Sequence, residues 1–139
     1  MAKVIAIHKS EKRGTIKNSV SKATILKEWG VEGDAHGGDW DRQISIFPIE
    51  ALGKVPEHMK AEVEAGGYTE NITIEGLDLE EFCVGSKIKI NDAEFEVHHI
   101  GKEVFKEHDR HYIVSREGRF GKVLKSGTIS IGDSVSIIK

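Results

Sequence analysis

The chain is poor in the residues that would commit it to several common classes. Cys83 is the single cysteine among 139 residues, so no intrachain disulfide can form and a thiolate-rich metal site is excluded. Nothing in that usage calls for an oxidising compartment, and cytoplasmic residence is the expectation. No apolar run approaches the ~20 residues that a bilayer-spanning helix needs. The short run Val4-Ile5-Ala6-Ile7 has no signal-peptide cleavage pattern beside it and reads as a first strand. Basic residues number 20 against 23 acidic, a formal net charge of −3. The surplus of positive charge that displaces counterions from nucleic acid is therefore missing, and neither nucleic acid nor membrane is an expected partner. Prolines number two and aromatics make up 6%. The length suits one domain over residues 1–139, since domains commonly run ~100–150 residues.

Glycine, by contrast, is plentiful, with 15 residues against a usual frequency of ~7%. Many glycines with few prolines suggest a β fold with tight turns. Apolar and polar residues alternate over Asn71-Ile72-Thr73-Ile74, Lys87-Ile88-Lys89-Ile90 and Glu94 to Ile100, and again at Ile129, Ile131, Val135 and Ile137. Period-2 alternation places successive side chains on opposite faces of a half-buried strand. Phe95, Val97 and His99 are thus expected on one face, with Glu94, Glu96 and His98 on the other. Gly85-Ser86, Asn91-Asp92, Ser126-Gly127 and Gly132-Asp133 supply turns, and Asn91-Asp92 between two alternating runs predicts a hairpin. One region is helical in character. Pro48 opens a short helix that Gly53 can end, and Pro56 precedes a second start at Glu57. Short strands with one helical insertion predict a mostly β fold, a closed β-barrel that leaves no exposed sheet edge.

The segment from Val31 to Gln43 is the least ordinary in the chain. It holds Gly33, Asp34, His36, Gly37, Gly38 and Arg42 between strand candidates. Glycines allow close approach of backbone to a ligand, consecutive free N–H groups can cradle an anion, and an arginine adds a two-pronged contact to phosphate or carboxylate. The same residues also suit a plain turn in which Asp34 and His36 bond the local backbone. Lys102 and Arg116, each beside a glycine or a glycine-bearing turn, are the further cations. They are expected to converge with Arg42 on one pocket at the barrel rim. His98, His99, His108 and His111 fall close together, but neighbours in a strand point to opposite sides, so no metal site is expected. Cys83 sits among Glu80, Glu81 and Phe82, and carboxylates disfavour a thiolate; a buried structural role is the expectation.

Taken in order, these blocks carry a resemblance. Gly33-Asp34-Ala35-His36-Gly37-Gly38 with Arg42-Gln43, Glu70-Asn71-Ile72, Glu75-Gly76-Leu77 and Val84-Gly85 are followed by His99-Ile100-Gly101-Lys102, Arg116-Glu117-Gly118 with Phe120, Val123 to Gly127, and Gly132-Asp133. The chain resembles a stand-alone bacterial MOSC domain, the module at the C-terminus of molybdenum-cofactor sulfurases. The resemblance implies a β-barrel with a helical insertion. It also implies a part in binding or handling the molybdenum cofactor (molybdopterin), a pterin with a dithiolene and a phosphate, or a related anionic ligand. Gly33, Asp34, His36, Gly37, Gly38, Arg42, Lys102 and Arg116 are the expected contacts. Molybdoenzymes or cofactor-biosynthesis proteins are the partners it suggests. Members of the family are thought to bind the cofactor or to carry sulfur as a cysteine persulfide on thiols that follow a Gly-Lys pair. After Gly101-Lys102, those positions hold Val104 and His108, neither of which forms a persulfide, so sulfur transfer from that position is ruled out. The alternative is a sulfur-transfer enzyme that uses Cys83 or a partner's thiol.

Overall fold

The computed structural model describes residues 2–9, 18–34, 37–40, 42–54, 71–100 and 118–138. The described elements are β1 (Lys3–Lys9), β2 (Asn18–Val20), β3 (Lys22–Leu26), β4 (Gly30–Val31), β5 (Ile44–Pro48), a 3-10 helix η1 (Ile49–Lys54), β6 (Ile72–Glu75), β7 (Lys87–Ile90), β8 (Ala93–Ile100), β9 (Arg119–Lys125), β10 (Gly127–Ser130) and β11 (Val135–Ile138). The predicted short helix is this 3-10 turn, which begins one residue after Pro48. The second helical start at Glu57 lies outside the described residues.

Eight strands form one sheet in the order β11-β7-β8-β9-β5-β6-β1-β2, and β10-β3-β4 form a second. All described pairings are antiparallel except β5 with β6, whose connection runs through η1. The fold is mostly β, as expected, but the large sheet is an open half-barrel rather than a closed barrel. The reason lies in β1. One of its edges pairs with β6, and the other is divided between β2 at Ile7–Lys9 and a single bridge, Lys3 with Ser134, just ahead of β11. Backbone bonds from Val4 N to Asp133 O (2.9 Å) and from Val135 N to Ala2 O (2.9 Å) tack that seam at one end only.

Alternation builds the core where it was read. β7 and the first part of β8 bury Ile88, Ile90, Phe95 and Val97 and turn lysines and glutamates outward. A bulge between Val4 and Ala6 brings Val4 and Ile7, three apart, to the same inner side. β6 departs from the half-buried expectation. Ile72, Thr73 and Ile74 are all buried, and so is Phe47, the register partner of Thr73, so both faces of the β5–β6 pair are covered. Ile131 is exposed in the β10–β11 turn instead of continuing a strand. Of the strands β2 to β5, only the candidates flanking the Gly-rich segment were anticipated, without bounds. In β3, Ala23 and Ile25 alternate with Lys22 and Thr24, a signal too short to stand out.

Polar side chains fasten the turns. Asn91, at φ +54° in the two-residue connection of β7 to β8, donates from Nδ2 to Asp133 Oδ2 at 2.6 Å and to Thr128 O at 3.1 Å. Asp133 Oδ2 also accepts from Ser130 N, so the two turns read from the sequence hold each other. Asn91→Ala is expected to destabilise the fold by about 2 kcal/mol, through lost hydrogen bonds and the left-handed conformation. Asn91→Gly keeps the conformation and should lose about 1 kcal/mol. Urea titration of the two variants separates the contributions.

Candidate functional site

The Gly-rich segment lies between β4 and β5. Gly33 and Gly38 have φ of +82° and +143°, a region that favours glycine. Gly37 packs so closely on the Trp29 indole that a Cβ there would collide with the ring. The loop does not present the row of free amides that was expected. Asp34 N donates to Val31 O (3.0 Å), Gly37 N to Asp34 O (3.3 Å), Gly38 N to Trp29 O (2.9 Å) and Trp40 N to Gly38 O (3.1 Å). Four of its described N–H groups therefore serve the loop's own folding. Asp34 is buried, at 4% exposure.

Arg42, half-buried, places its guanidinium 4.6 Å from the centroid of the Phe120 ring. A cation over an aromatic face is attracted by the ring's negative quadrupole, which helps hold the guanidinium in place. Phe120 is in turn the register partner of His99. Gln43, next in sequence, is fully buried. It accepts from Val123 N through Oε1 (3.1 Å), while its Nε2 has no hydrogen-bond partner. An orphan buried donor costs ~1–3 kcal/mol, and costs of that kind are found at functional sites. His36, Lys102 and Arg116 lie outside the described residues, so of the expected contacts Gly33, Asp34, Gly37, Gly38 and Arg42 are described.

One residue differs from its sequence reading. Cys83 is exposed, not buried; its Sγ lies 3.6 Å from Ser86 Oγ. Arg119, in the same glycine-bearing stretch as Arg116, is 3% exposed. Its Nε donates to Phe82 O at 2.9 Å and its guanidinium lies over the Phe82 ring. That cation holds the 79–82 segment against β9 and is structural.

At His98 and His99 the structure adds a feature. Both residues, with Val84, Gly85, Glu96 and Val97, line a groove of about 310 Å³. The β8–β9 register shifts between Val97 and His99, a β-bulge. Opposite it stands Gly121, which allows the Glu96 carbonyl to approach so closely that no Cβ fits. His98 Nε2 is 2.9 Å from Glu96 Oε1.

The MOSC domain family profile matches residues 32–136, a stretch that takes in the Gly-rich loop, Arg42, the groove and the last two turns. The chain belongs to the MOSC domain family. A relative in Bacillus subtilis (strain 168), the uncharacterized protein YflK, is 27% identical over 90 residues, and the alignment covers 60% of this chain and 40% of that protein. The crystal structure of the YuaD protein from Bacillus subtilis superposes with a TM-score of 0.73 at 15% identity, over 99% of this chain and 96% of that one. YiiM from Geobacillus stearothermophilus superposes at 0.70 with 17% identity, over 100% and 76% of the two chains. These likenesses bear on the fold. No described helix is long and apolar enough to cross a membrane.

Proposed function

We propose that this MOSC domain binds the molybdenum cofactor, or a related anionic pterin-type ligand, at the Gly33–Arg42 loop, in the cytoplasm and without persulfide chemistry at positions 104 and 108. The observation that carries the reading is Arg42, whose guanidinium lies over the Phe120 ring at the end of the Gly-rich loop. A guanidinium oriented in this way suits a phosphate better than a freely rotating lysine does. The described residues fit a ligand held by side-chain charge beside a close-packed glycine loop. When bound, such a cofactor brings the dithiolene that holds molybdenum. Arg42 would hold its phosphate, His36 would offer a polar contact, and Lys102 and Arg116 would add charge. Its association with the purified chain, followed by pterin fluorescence after equilibrium dialysis, should weaken about tenfold in Arg42→Ala, which corresponds to the loss of one charge-assisted contact. Equal affinity in both proteins, or no binding to either, overturns the reading.

A second reading is favoured by the exposure of Cys83, since reactive thiols occupy accessible positions. In it the Cys83 thiolate attacks the terminal sulfur of a partner's persulfide. A new S–S bond forms on Cys83, the donor's S–S bond breaks, and the partner leaves as a thiolate. A mass increase of about 32 Da after incubation with a cysteine desulfurase and cysteine, absent in Cys83→Ser, supports it; an unchanged mass removes it.

A further inference from the structure

We infer that Trp29 is the stacking surface for the flat ring of a pterin-type ligand at the Gly-rich loop. The inference rests on the reading of that loop as a ligand site, and it names a contact that reading left open. Trp29 stands between β3 and β4. Its N donates to Leu26 O at 3.1 Å and its O accepts from Gly38 N at 2.9 Å, so its backbone is tied to the turn on one side and to the loop on the other. The residue is 44% exposed, and Gly37 shows which part of the indole is open. A Cβ on Gly37 would meet Nε1 first and stand 2.6 Å from Cε2 and 3.0 Å from Cδ1. A point in the ring plane beyond the N–H corner would lie much farther from Cε2 than from Nε1. The glycine therefore sits over a face of the five-membered ring, not beside its edge. With one face covered, exposure of that size belongs mainly to the other.

An indole backed by a glycine and tied through both its backbone groups is a preorganised platform. It presents a π-face to a planar heterocycle, and little side-chain freedom is lost on binding. Any side chain at position 37 would lift the loop off the ring, so the glycine serves the platform as well as the turn. Positive charge is at hand on the same loop. Lys9, at the end of β1, has its Nζ 3.5 Å from where a Cβ on Gly33 would stand. Glu32 and Asp39 are exposed carboxylates in that loop, so charge alone draws an anion weakly there and the ring contact carries the discrimination. A flat heterocycle with an anionic substituent is thereby favoured over an aliphatic anion of equal charge.

The test is equilibrium dialysis of the untagged full chain against a carboxypterin (a flat pterin ring bearing a carboxylate), read by pterin fluorescence. Trp29→Leu, which keeps apolar bulk but has no π-face, should weaken binding about tenfold, as loss of one heterocycle–aromatic stack does. Trp29→Phe, which keeps a smaller π-face, should stay within about threefold of the parent. At saturation the ring-proton NMR signal of the bound pterin should move upfield with the parent, as protons over an aromatic face do, and not with Trp29→Leu. Circular dichroism confirms that each variant is folded before dialysis. The inference is overturned, and the loop reading kept, if Trp29→Leu binds as the parent does while Arg42→Ala binds more weakly. It is also overturned if the upfield shift persists in Trp29→Leu, or if the parent binds the molybdenum cofactor but not the carboxypterin. Both readings fall if the parent binds neither.

Discussion

Asn71→Ala is expected to lower stability by about 3 kcal/mol and the melting temperature by roughly 10 °C. Asn71 is fully buried and joins three strands. Its Oδ1 accepts from Ser45 N at 3.0 Å and from Ser45 Oγ at 3.2 Å, its own N donates to Ser45 Oγ at 3.0 Å, and its Nδ2 donates to His8 O at 3.3 Å. His8 N returns a bond to Asn71 O at 2.8 Å. The β5–β6 pairing is the only parallel one described, and this side chain bonds the backbone of β5 and β1 just where β6 begins. Truncation leaves the Ser45 amide short of a partner, and such orphans are the costly part of a lost hydrogen bond. Ser45→Ala should cost about 1–2 kcal/mol by the same account. The double variant should fall short of the sum by about 1 kcal/mol or more, because the two side chains share bonds. Chemical denaturation of the four proteins measures the cycle, and full additivity would show that the network does not act as a unit.

Gly121→Ala should cost about 3 kcal/mol, at the upper end for overpacking by one methyl group. The added Cβ would meet the Glu96 carbonyl and lie 3.1 Å from Val97 Cα. Neither is the flexible end of a side chain, so the β8 backbone must move. Gly121 is paired with Ile44 on its other side, which prevents β9 from sliding away. Since the displaced residues adjoin the bulge, the imidazole signals of His98 and His99 should shift in the NMR spectrum. Gly85→Ala, with no atom within 4 Å of the added methyl group but a φ of +93°, should leave those signals in place while costing about 1 kcal/mol in backbone strain. A Gly121→Ala protein with parental stability would show that the close approach is not required.

What the sequence disclosed and what it withheld divide along a physical line. Turn chemistry is local, so Asn91-Asp92 and Gly132-Asp133 were legible, as was the alternation of Lys87 to Ile90, whose outer face meets water. The bulge was not legible from β8 alone, because it is a matter of register with β9, where Val97 faces Gly121 and His99 faces Phe120. The Gly-rich loop was legible as unusual, but the fate of its amides turns on Trp29, which lies before β4 and offers its carbonyl to Gly38. Arg119 was not singled out in the sequence. Its burial follows from register, which aligns it with Ile46 and Ile100 and brings it to the Phe82 carbonyl. Closure of the barrel was expected because unpaired edges are costly; here β1 divides one edge between two neighbours.

That seam has a consequence for how the unit can be built into larger polypeptides. Lys3 and Ser134 are bridge partners, and the chain runs in opposite directions through them, so residues ahead of β1 and residues beyond β11 depart from the same end. A module whose entry and exit share one doorway can be spliced into the loop of a host protein or appended to a neighbour without threading across its own body.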